Sequence, residues 1–240
     1  MTDDETEGRK GLGLAAMLIG AVVVLGIILG GLALFSGNDD PEPTPSPTTS
    51  TPTAQSDSDS VCGLEGHEKS GSLNKAPAAE WQLVNKMAVP SVESAGPGTV
   101  EADGFRYCYA RTPEGALLFA ANFLAMGAEP KFEERLVDHL LAPGPGQEQA
   151  RRKVGSGPGS SEDSGVQVAG FRVRSYTDEE AIVDILMQVV SGEGSAHAYQ
   201  QFDLRWVEGD WRLVTADDGN PRSEPQPVPD TAGFIPWSGV

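Results

Sequence analysis

The apolar and polar positions divide the chain into segments of different physical kinds. Residues 11–35, GLGLAAMLIGAVVVLGIILGGLALF, are uncharged and apolar almost throughout. Twenty-five such residues exceed the roughly 20 that carry an α-helix across a hydrocarbon core. The run predicts a transmembrane helix. A cleavable signal peptide has a shorter apolar run and a small-x-small cleavage site, whereas this one ends Ala33-Leu34-Phe35-Ser36. The reading is an uncleaved signal anchor. Residues 36–60 then hold five prolines, many Ser, Thr and Asp, and no apolar residue larger than Ala. Such a stretch cannot bury enough surface to offset its ordering entropy, which predicts a disordered tether.

Beyond the tether the pattern becomes periodic. Trp81–Val89 has a strand-like composition ended by Pro90, Gly96-Pro97-Gly98 is a turn, and Phe105–Tyr109 is an aromatic strand. Thr112-Pro113-Glu114 supplies a hydroxyl N-cap, a proline at the first helical position and an acid in the first turn. The helix that follows, 113–127, is apolar on nearly every side, as only a helix enclosed by other elements can be. A second helix over Lys131–Leu141 places Phe132, Leu136, Val137, Leu140 and Leu141 on one face, and a third covers Gln147–Val154. The Gly- and Ser-rich residues 155–165 break the pattern.

Strand-like runs follow at Val166–Tyr176, Ala181–Val190 and Ala198–Val207. Val183, Ile185, Met187 and Val189 alternate in the second, and Phe202, Leu204 and Trp206 in the third. Glu208-Gly209-Asp210 turns into a fourth, Trp211–Thr215. Short loops between successive strands imply an antiparallel meander. The expected class is α+β: helices packed on a curved antiparallel sheet, with helix 113–127 in its concave side. The organisation is a cytoplasmic tail (1–10), the membrane helix (11–35), the tether (36–60), an extracytoplasmic domain (61–217) and a Pro-rich tail (218–240).

Charge sets the orientation and the partners. Arg9 and Lys10 flank one end of the membrane segment and Asp39-Asp40 follow the other, so the N-terminus is cytoplasmic and the later residues lie outside the cell membrane. The chain of 240 residues has a formal net charge of −18, and residues 61–240 carry 26 acidic against 15 basic side chains, a net of −11. Phosphate backbones require clustered Lys and Arg, so direct nucleic-acid binding is excluded. The lone basic run, Arg151-Arg152-Lys153, reads as the last turn of a helix. Within the membrane segment, Gly26 and Gly30 form a GxxxG and Ala16 and Gly20 repeat its spacing, a candidate face for helix pairing and homo-oligomers.

The candidate chemistry is sparse. The two cysteines, Cys62 and Cys108, lie outside the cytoplasm on this reading and predict a structural disulfide. A metal site with His67 lacks further ligands at plausible spacing. Asp138, His139, Asp184 and Tyr176 are the candidate acids and bases, and each reads as an ordinary polar residue. Asp184 alternates away from the main apolar face. His67 and His197 read as loop residues without ligand partners. No phosphate loop, dinucleotide fingerprint or nucleophile elbow occurs, and no metal or other cofactor is expected. Phe234, Ile235 and Trp237 in the polar tail either fold back onto the domain or offer a partner an apolar anchor.

The phrases TPEGALLFAANFLA, SYTDEEAIVDILMQVV and FDLRWVEGDWRLV together resemble the nuclear-transport-factor-two-like (cystatin-like) fold over about 80–216. The layout, and the phrase AVPSVESAGPG before a Cys and a TPEGAL helix, resemble membrane proteins of actinobacterial mobile elements. These are similar to the bitopic, TcpC-like assembly components of conjugation and type IV secretion systems. The resemblance implies a non-enzymatic scaffold that binds the bilayer and other membrane or envelope proteins. A surface-tethered ligand-binding or catalytic domain of the same fold, or a cell-envelope accessory protein, are the other expectations.

Overall fold

The computed structural model describes residues 60–156, 165–192 and 194–239. The expected membrane helix, its pairing face (Ala16, Gly20, Gly26, Gly30) and all of the tether but Ser60 lie outside them. No helix among the described residues is long and apolar enough to cross a membrane.

The domain is α+β. Its main sheet is antiparallel and curved, built from β5 (Gly165–Tyr176), β6 (Glu180–Ser191), β7 (Gly194–Val207) and β8 (Asp210–Leu213). The meander order follows from the short connections. Between β7 and β8 the chain reverses through Glu208 (φ 53) and Gly209 (φ 84), the left-handed pair that matches the twist of the flanking strands. Register pairs Val183 with Phe202 and Ala181 with Leu204, so large apolar side chains meet on one face. Residues Val183, Ile185 and Met187 are at most 1% exposed.

Helix α1 (Pro113–Gly127) packs on that face. The Thr112 hydroxyl accepts the Gly115 N–H at 3.0 Å, a side-chain cap for one of the unpaired first-turn amides. Its all-round burial has the physical cause expected. The sheet lies on one side, and the hairpin of β1 (Glu80–Val84) and β2 (Met87–Ser91) touches another. Asn122, fully buried, joins helix to hairpin by donating to the Pro90 carbonyl at 3.0 Å.

Several elements differ from expectation. Trp81–Val89 is a hairpin, because Asn85 takes φ 51 and reverses the chain; asparagine tolerates that conformation better than most residues. Pro90 lies inside β2, opposite Trp81. The aromatic strand shrinks to β4 (Arg106–Tyr107), paired with β3 (Thr99–Val100), because Cys108 turns to φ 68. In place of one regular helix at 131–141 there are a 3₁₀ turn (Pro130–Phe132), a single α turn (Glu133–Arg135) and a π turn (Leu136–Leu140). The predicted apolar face is buried all the same. Helix α2 (Pro145–Lys153) ends in the basic run.

The last residues strap the sheet. β9 (Gln226–Val228) extends the free edge of β7 beyond β8, and β10 (Ile235–Pro236) pairs with β5 at the opposite edge. Between them the chain crosses the face away from α1, where Phe234 meets Tyr199 at 5.6 Å. The segment then drops Trp237 between Trp81 and Phe171, with ring centroids 5.0 and 5.4 Å away.

Candidate functional site

Three places gather chemistry-bearing side chains. The first is the covalent link at the start of the domain. Cys62 and Cys108 form a disulfide with Cα atoms 6.1 Å apart. Gly98 makes room for it, since a Cβ there would collide with the Cys62 Sγ. Asp210 sits beneath. Its carboxylate accepts the Cys108 N–H at 2.7 Å, the Tyr109 N–H at 2.9 Å and the Trp211 N–H at 2.9 Å. Burial pushes its pKa up to about 6, against the opposing pull of the three amides. Asp210 joins the disulfide strand to the β7–β8 turn, a structural task. The hairpin phrase contained this residue, but its role required the partner strand roughly a hundred residues earlier to be in place.

The second is a charge cluster on the face of the sheet away from α1. Asp184 alternates away from the apolar face as expected, yet it is 0% exposed. It is no ordinary surface carboxylate. Arg172 donates to its Oδ2 through Nε (2.9 Å) and Nη2 (2.5 Å), and Arg174 donates through Nε at 2.7 Å. Arg172 also lies over the Phe234 ring at 4.5 Å. All three bonds fall on Oδ2, and the buried Oδ1 has no hydrogen-bond partner. In the sequence Arg172 and Arg174 alternate toward one face, the pattern that marks this cluster.

The third is an apolar cavity of ≈ 80 Å³ at the end of α1, open between the helix, the turns at 133–141, β7 and the tail. Phe123, Leu124, Leu136, Val137, Met187 and Phe202 form its walls. Behind it the concave side is filled. Phe119 and Met126 are 0% exposed, and Phe123 stacks on Phe119 at 5.7 Å and meets Phe202 edge-on at 6.2 Å. The carboxylates at the rim are engaged, Glu133 with the Gly155 N–H and Asp203 with the Gln201 side-chain amide. No signal in the sequence marked this cavity, because its walls come from four separate stretches of chain.

The other candidates are dispersed. Asp138 and His139 are exposed on the π turn; Asp138 pairs with Arg151 at 2.7 Å and His139 meets the edge of Phe105. Tyr176 is buried against Trp211, and burial raises its hydroxyl pKa. His67 has an acidic partner after all, Asp178 at 2.9 Å, supplied by the β5–β6 turn 111 residues along the chain. His197 lies within β7, opposite Gln188, and not in a loop. Among the described residues, no three His, Cys, Asp or Glu side chains gather as a metal site. Phe234 and Trp237 pack on the domain as described, and Ile235 holds the β10 pairing.

Among the described residues, fold and site thus define a disulfide-linked α+β domain with a largely filled concave face and an apolar cavity where α1 ends. The chain belongs to the family described as Domain of unknown function (DUF8175), whose model matches residues 43–236. No curated protein and no solved structure matches it.

Proposed function

We propose that the chain is a non-enzymatic, membrane-anchored scaffold that works outside the cytoplasm by protein–protein contact, as in a conjugation or secretion-type assembly. The observation that carries this reading is the largely filled concave face. An enzyme of the nuclear-transport-factor-two-like kind needs a base inside its cone, and here the fully buried Phe119 and Met126 fill most of that space. Asp210 supports the same reading, since its carboxylate is spent on three backbone amides. A rigid, disulfide-linked domain on a long tether is suited to presenting a surface at a distance from the bilayer.

The test is amine-reactive crosslinking on intact cells carrying the full chain, followed by isolation of membranes and mass spectrometry of the crosslinked species. The expected result is a discrete heavier species containing a defined membrane or envelope protein, lost when residues 61–240 are deleted. Recovery of the uncrosslinked chain alone would sink the scaffold reading.

A further inference from the structure

We propose that the cavity at the end of α1 receives one bulky apolar side chain from a basic segment of a partner protein. This rests on the contact-making function above and names the contact. The first argument is size. At ≈ 80 Å³ the cavity is several times what one water needs, and smaller than the roughly 150 Å³ site that encloses a benzene. It fits the end of a single Leu or Met side chain entering from the open side. Sites of this kind, apolar and bordered by polar rims, hold the anchor residues that dominate interface energetics.

The second argument is that neither the tether nor the described tail offers a side chain to fill it. Residues 36–60 hold no apolar side chain larger than Ala. The apolar residues of the tail are already placed, Phe234 over Tyr199 and Trp237 between Trp81 and Phe171. The third is charge. Glu133 and Asp203 border the cavity against a single guanidinium, Arg222, and residues 61–240 carry a net −11. Complementary potential steers association and rejects partners of like charge, so the residues flanking the anchor are Lys or Arg.

Gly127 gives a clean way to close the site. It lines the cavity, and a Cβ built there meets nothing within 4 Å. As it ends a helix without left-handed backbone, a larger residue there is compatible with folding. Gly127→Leu therefore fills the mouth, and Gly192→Leu, likewise into open space but distant in the fold, serves as the control. The probe is a random peptide library selected on the full chain in detergent, with Gly127→Leu as the counter-target. Expected winners carry one Leu or Met flanked by Lys or Arg. Changing that residue to Ala weakens binding at least about tenfold, the fold-change that burying such a side chain supports. Gly127→Leu abolishes binding and Gly192→Leu leaves it unchanged.

Acidic winners, winners that bind Gly127→Leu equally, displacement by dodecyl amphiphiles of peptide from the wild-type cavity, or no enrichment would each overturn the proposal. Its failure is separable from that of the scaffold reading: if Gly127→Leu forms the same crosslinked membrane species as wild type, the scaffold stands and the cavity is not its contact.

Discussion

At the scale of single residues, the most consequential side chain is Asp210, whose carboxylate holds three backbone amides from two distant stretches. Its pKa moves from the ordinary 3.8 up to about 6, because burial disfavours the charged form more than the amides favour it. The folded chain therefore holds this proton more tightly than the unfolded chain. The resulting stabilisation is complete below about pH 4 and is lost as pH rises through 6, about 3 kcal/mol in all. Urea unfolding measured across that window should show a shallower pH dependence in Asp210→Asn than in wild type; identical slopes would remove Asp210 as the cause. Asp184 makes the complementary point. Removing it leaves Arg172 and Arg174 without their shared carboxylate; their side chains are 35% and 43% exposed, so water offsets part of the loss and the expected cost is about 1–3 kcal/mol. An Asp184→Ala variant with an unchanged unfolding midpoint would contradict the network described.

At the scale of elements, two links hold the ends of the domain. The disulfide closes a loop of 46 residues, which stabilises by about 4 kcal/mol in the chain-entropy model. The double variant Cys62→Ser/Cys108→Ser should lose about that much in denaturant titration, and reductant should act on wild type alike. The C-terminal strap is the second link. Trp237 is 5% exposed between two aromatic rings, so Trp237→Ala should cost about 3–5 kcal/mol. A melting temperature within a degree of wild type would show the strap to be incidental.

The strands β5 to β8 and helix α1 were legible in the sequence, because each carries a period that burial enforces: two in Ala181–Val190, continuous apolarity in 115–126. The hairpin at 80–91 was not legible, since its reversal rests on one residue, Asn85, in an otherwise strand-like run. The π and 3₁₀ turns at 130–140 were also hidden. Their apolar spacing satisfies a helix, and only packing under α1 selects the irregular backbone.

At the scale of the whole molecule, the proposed arrangement of anchor, tether and acidic domain predicts behaviour in cells. Washing membranes with alkaline carbonate should leave the full chain in the pellet, whereas protease added outside spheroplasts should release a fragment with the Cys62–Cys108 bond intact. A chain extracted intact by carbonate would place it elsewhere. The net charge of −18 adds that contacts with cationic partners weaken as salt rises.

The boundary between sequence and structure follows from the range of the forces involved. Hydropathy and strand alternation act over a few neighbouring residues, so the sequence by itself determined the α+β class, the enclosed helix and the expected cysteine pairing. The disulfide site, the cavity and the His67 pair depend on residues far apart in the chain. Asp210 finds Cys108, Asp178 finds His67, and Gly127 meets Met187 and Phe202 around one cavity. Such meetings have no local pattern. They exist only once the sheet has curved around α1 and the tail has crossed it, and that was decided by tertiary packing alone.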